Sequence, residues 1–113
     1  MPVVFRCDLS QTGAPLPHVW AHTVGSDHAP VALRADWQRQ LQRCRNELGF
    51  RYVRFHGLLS DDMGTLISHD GKLFASFFNA DQVFDFLLSI GMKPFVELSF
   101  MPMALASGRQ TVF

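Results

Sequence analysis

At 113 residues, 48% of them hydrophobic and only 18% charged, the chain has the material for a core and not the composition of a disordered segment. Ten basic and ten acidic side chains cancel with no basic run standing out, which removes the electrostatic footprint of a nucleic-acid or membrane-surface binder. No window reaches the roughly 18 apolar residues of a membrane span and MPVVFRCDLS lacks the apolar stretch of a secretion signal, so the expected compartment is the cytoplasm.

In chain order, residues 1–17 open with the apolar run VVFRCDL and pass into SQTGAPLP, where Gly13, Pro15 and Pro17 break regular structure. The expectation is an edge strand followed by a loop. HVWAHTV (18–24) reads as a first strand ending near Val24, closed by the turn residues of GSDHAP. From Ala35 to Leu48, the residues Trp37, Leu41, Cys44 and Leu48 recur at helical spacing among polar positions, and Gly49 stands where a left-handed cap is needed. This spacing predicts an amphipathic helix.

RYVRFH (51–56) predicts a second strand, and a long loop follows in which HDG at 69–71 signals a small hairpin. Asn79 reads as an N-cap with Gln82 three residues on, and Val83, Phe84, Leu87, Leu88 and Ile90 supply the stripe of a second helix up to Gly91. KPFVELSF predicts a third strand, with Pro94 near its start where a missing ladder donor does least harm. Helix end, capping glycine, apolar residue, basic residue and strand recur in NELGFRYVRF and LSIGMKPFVE. Such consecutive strand–helix units give an α/β fold with a parallel sheet.

The second strand carries a conflict. Val53 and Phe55 share one face while Tyr52, Arg54 and His56 share the other, although strands of a sheet covered on both sides are near-continuous apolar runs. A doubly wound sheet would bury Arg54 under helices, whereas a (β/α)8 barrel turns one face into a lumen that accepts polarity near its mouth. There the reactive groups sit at the C-terminal strand ends, where Arg54, His56 and Gly57 fall.

The blocks HTVGSDHAPVALRADWQ, LGFRYVRFHGLLSDDMG, QVFDFLLSIGMKPFVELSFMP and ALASGRQTVF closely resemble the amino-terminal region of bacterial β-xylosidases of glycoside hydrolase family 39. The resemblance runs over nearly the whole chain from about residue 18 and implies the first three strand–helix units of a (β/α)8 (TIM) barrel. It implies hydrolysis of xylo-oligosaccharides with retention, by two glutamates about 5 to 5.5 Å apart. Neither glutamate has a matching position here, so the chain is expected to be a fragment of the catalytic barrel, inactive alone. Glu97 matches a third-strand position that is not catalytic.

The residues carried over are those of substrate binding. His56 matches a sugar-binding histidine of the cleavage subsite, and Arg54 an arginine expected close to the nucleophile. Phe113 resembles an aromatic lining the same pocket, and Asp27 in GSDHA is a further candidate. No cofactor is implied, and the partner is a xylose-containing oligosaccharide.

Other features read as structural. His18 and His22 stand four apart, but the VWAHTV context is strand-like, so no metal site is expected. Asp61 and Asp62 read as turn aspartates, Trp37 as core, and Cys7 and Cys44 as free thiols. A rival class is a non-catalytic α/β module that oligomerises through an exposed sheet and binds carbohydrate. Three strands cannot close a barrel of eight, so unpaired strand edges invite self-association. A small enzyme using Glu97 with Asp62 is a third reading.

Overall fold

The computed structural model describes residues 1–109; Phe113 lies outside the described residues. A three-stranded parallel sheet is built from β1 (Thr23–His28), β2 (Tyr52–His56) and β5 (Lys93–Val96), in the order β1-β2-β5. Helix α1 (Ala35–Leu48) connects β1 to β2, and α2 (Phe78–Ser89) connects β2 to β5. Between β2 and α2, β3 (Leu66–His69) and β4 (Lys72–Ala75) form an antiparallel hairpin. Its turn holds Asp70 at φ 49° and Gly71 at φ 72°, the two positive values that the HDG signal anticipates.

The sheet grows in one direction and both helices pack on the same face. Val53 and Phe55 of β2 are buried there with Leu41 of α1, Val83 and Leu87 of α2, and Ala29 and Ala32 of the short turn after β1. Burial of Val53 and Phe55 stabilises by about 1.5–3 kcal/mol each. Trp37 joins this layer half-buried; its Nε1–H donates to Ser26 Oγ at 2.9 Å and its ring tilts against Phe86. Gly49 caps α1 at φ 76°, with its N–H donating to Arg45 O.

In the first turn of α1, the Arg34 guanidinium makes two hydrogen bonds to Asp36, at 3.0 and 2.9 Å, and the Trp37 N–H adds a third. These hold the Asp36 carboxyl down from 3.8 to about 2, the Arg34 contact being the larger cause. Any stability they lend is complete above the ordinary carboxylate pKa and is lost as pH falls through about 2.

Four expectations need correction. The first strand begins at Thr23, because the ladder starts where Arg51 and Tyr52 donate to Ala21 O and His22 O; residues Val19–Ala21 form a single tight turn instead. It then runs through GSDH to His28, pairing with β2 overriding local turn chemistry. No strand forms in residues 1–17, which are exposed and hold local hydrogen bonds such as Ser10 N–H to Asp8 Oδ1, since no neighbouring strand offers them a ladder. The radius of gyration, 20.6 Å against about 13 Å for a compact chain of this length, reflects that extended segment.

The cap of α2 is Phe77, not Asn79. The Asn79 amide instead donates to Met63 O at 3.0 Å, tying the helix to the turn at Asp61–Met63. The third strand stops at Val96, where the chain bends so that Ser99 can reach back to the loop after β2. Among the described residues, no helix is long and apolar enough to cross a membrane.

Candidate functional site

Among the described residues, no helix covers the face of β2 opposite the core. Tyr52 and His56 are half-buried there and Arg54 is exposed. Arg54 lies between Gly25 of β1 and Phe95 of β5 in the parallel register. Glu97, two residues beyond Phe95 and therefore on the same face, pairs with it at 2.7 Å from Arg54 Nε to Oε1. The side chains are 58% and 26% exposed, a setting in which an isolated ion pair contributes about 0–1 kcal/mol. Its geometry is more informative than its energy. Binding through Nε leaves the two terminal nitrogens of the guanidinium for another acceptor.

Beyond Arg54 the register slips. Gly25 pairs with Arg54, but His28, three residues on, pairs with His56, two residues on. Strict alternation from Thr23 and Gly25 would set Asp27 beside His56; the extra residue gives that place to His28. The two imidazoles stack with centroids 5.4 Å apart and planes at 24°. His28 Nδ1 lies 3.2 Å from Asp62 Oδ2. Its other edge rests on Gly57, where an added Cβ would clash with Cδ2 and Nε2. Gly57 also has φ 77°, so conformation and contact both require glycine.

The loop after β2 is tied to the end of β5. Gly57 N–H donates to Ser99 Oγ at 3.0 Å and Leu59 N–H to Ser99 O at 2.6 Å. The Phe100 ring tilts against His56 at 5.8 Å. Asp61 accepts from the Met103 N–H and Thr65 Oγ1 donates to Leu58 O, so this rim is fastened by its polar side chains. An apolar cleft of about 300 Å³ opens behind it, lined among others by Leu59, Phe77, Leu98, Phe100 and Leu105.

Of the candidates read from the sequence, Arg54 and His56 come together on the open face. Asp27 is exposed at the edge, its Oδ1 accepting from the His28 N–H at 2.7 Å. His28 and the identity of Glu97 as the partner of Arg54 went unanticipated, and the sequence, which places Gly57 at the strand end, assigns it no role there. The signal for His28 was weak, a histidine beside Asp27 in what reads as turn sequence. Asp62, read as a turn residue, holds His28. Upstream, His22 stacks on Tyr52 and the His18 ring tilts against Trp20, and no group of three or more metal-ligating side chains occurs among the described residues. Cys7 and Cys44 are unpaired.

Residues 3–113 match the model of glycosyl hydrolases family 39. The chain belongs to that family. It is 64% identical over 95 residues to a family relative described as a beta-xylosidase from Caldicellulosiruptor saccharolyticus, covering 83% of this chain and 20% of the relative. A beta-xylosidase from Geobacillus stearothermophilus is 42% identical over 98 residues, covering 83% of this chain and 19% of that one. Among solved structures, a GH39 beta-xylosidase from Caulobacter crescentus superposes with a TM-score of 0.80 at 40% identity, over 93% of this chain and 24% of its own. The GH39 enzyme from Xanthomonas axonopodis pv. citri gives 0.79 at 42% identity, over 93% and 21%. The family 39 segment thus spans about a fifth of the length of the relatives it matches.

Proposed function

We propose that these residues form the first three strand–helix units of the (β/α)8 barrel of a retaining β-xylosidase, and that the open face of the sheet is one wall of its sugar pocket. The observation that carries this is the placement of Arg54 and His56 at the C-terminal end of β2, on a face that no helix covers among the described residues. In a closed barrel that face turns inward and its C-terminal rim is the reactive end. The two curated relatives described as beta-xylosidases support the substrate class.

In this reading His56 meets a sugar hydroxyl, a neutral imidazole offering one donor and one acceptor. Arg54 lies beside the carboxylate that attacks the anomeric carbon, its charge favouring the ionised, nucleophilic form. A second carboxyl protonates the leaving oxygen and then deprotonates the water that releases the sugar. In this reading neither catalytic carboxylate is assigned a position among these 113 residues. Glu97 is engaged by Arg54 and Asp62 by His28, so neither is assigned to bond cleavage.

A second reading, a non-catalytic module that self-associates, draws on a specific observation. Val96 and Leu98, on the helix-covered side of the sheet, are 41% and 80% exposed, and the outer edges of β1 and β5 have no ladder partner among the described residues. One experiment addresses both readings. Assayed alone, the 113 residues should show no turnover of an aryl β-xyloside and should sediment as more than a monomer. Grafted over the matching segment of the Caldicellulosiruptor relative, they should yield an active hydrolase. Robust turnover by the short chain, or a folded but inactive chimera, would contradict the proposal.

A further inference from the structure

The His28 imidazole is held on three sides. Asp62 Oδ2 lies 3.2 Å from one ring nitrogen, Nδ1. Gly57 supplies a surface free of any Cβ against the opposite edge, and the peptide of Gly57 is itself anchored to Ser99. The third side is the stack on His56. The register slip that brings His28 here interrupts the β1–β2 pairing at its most functional end.

The energetics separate positioning from stability. Side-chain exposure is 26% for His28 and 52% for Asp62, so solvent leaves the contact little to contribute to folding. A bulged strand, a glycine kept clear and a half-exposed polar contact are poorly accounted for by stability alone. Their joint consequence is a fixed plane against which the His56 ring lies, with the Phe100 ring tilted against it as well.

Resting on the reading of His56 as a sugar contact, we infer that His28, held by Asp62 and Gly57, is a positioning residue that sets the orientation of the His56 imidazole toward the substrate. It need not touch the sugar. Supporting partners of this kind act by holding the ring and nitrogen of a functional histidine in place.

The test uses the family 39 chimera. His28→Ala should raise KM for an aryl β-xyloside by about tenfold, the loss of roughly one well-made polar contact, while kcat stays within about twofold. Asp62→Ala should reproduce the effect, and Asp62→Asn, which retains an acceptor for Nδ1, should recover most of it. In a double-mutant cycle, His28→Ala should add little once His56 is alanine. Asp62 is half-exposed, so its variants report even if His28→Ala folds poorly. Unchanged KM in Asp62→Ala and His28→Ala, with KM raised in His56→Ala, would overturn the positioning role and leave the sugar contact standing. Unchanged KM in His56→Ala would overturn the sugar contact itself. Full additivity of His28→Ala and His56→Ala would also overturn the positioning role.

Discussion

Replacing Arg54 by lysine is expected to lower kcat of the family 39 chimera by roughly 10²-fold while changing KM little, the size of effect seen when one preorganised donor is withdrawn from a transition state. The reason lies in which nitrogen faces Glu97. Nε makes the 2.7 Å contact, so the guanidinium can hold Glu97 on one side and present its terminal nitrogens to a second carboxylate on the other. Lysine has a single nitrogen. Its ammonium can settle on Glu97 or reach into the pocket, but one short head group cannot span both. Glu97 also serves as the anchor that keeps a long side chain from wandering over an open face, where Gly25 offers no side chain to lean on. Steady-state kinetics distinguish the possibilities: a raised KM at unchanged kcat would make Arg54 a binding group and refute its role beside the nucleophile.

Gly57→Ala is expected to be the most damaging glycine substitution among the described residues. Four other glycines also hold positive φ, and at Gly49, Gly64 and Gly71 an added Cβ would meet nothing within 4 Å. Alanine at those three sites carries only the left-handed backbone cost, about 1–2 kcal/mol. At Gly57 the same cost is joined by overlap with the His28 ring, which in a packed setting adds about 1–3 kcal/mol. The ring can relieve the overlap by swinging out, but it then loses Asp62 and the stack on His56. Urea midpoints of the chimera should therefore fall further for Gly57→Ala than for Gly64→Ala, and KM should rise only in the former. Equal midpoints and equal KM for the two variants would show that His28 does not rest on Gly57.

The parts legible in the sequence were those set by local periodicity and by single strong signals. The stripe Trp37, Leu41, Cys44, Leu48 with its capping Gly49 marked α1 to the residue, because helix burial repeats within one turn and glycine alone takes the cap at little cost. HDG located the hairpin turn for the same reason. Arg54 beside Tyr52 and His56, opposite the apolar Val53 and Phe55, pointed to one open face of the sheet, since a charge at that position disfavours a helical cover.

What escaped notice depends on tertiary context. Residues 25–28 carry turn chemistry, yet β2 holds them in the ladder; the slip that exchanges Asp27 for His28 arises from pairing between strands and leaves no periodic trace. Asn79 looked like a cap because Gln82 follows it, whereas its amide serves Met63, sixteen residues away. The contact of Arg54 with Glu97 joins two strands through a shared face, which alternation permits but does not select. Such features become visible only when the chain is folded.

The most direct measurement is a crystal structure of the chimera with xylose bound. The expected density places the pyranose against the open face of β2, with a hydroxyl within hydrogen-bonding distance of the His56 imidazole, the Arg54 guanidinium alongside, and the His28 ring stacked behind His56. A sugar seated elsewhere, or a closed fold in which Arg54 packs beneath a helix, would contradict the assignment of that face as the pocket wall.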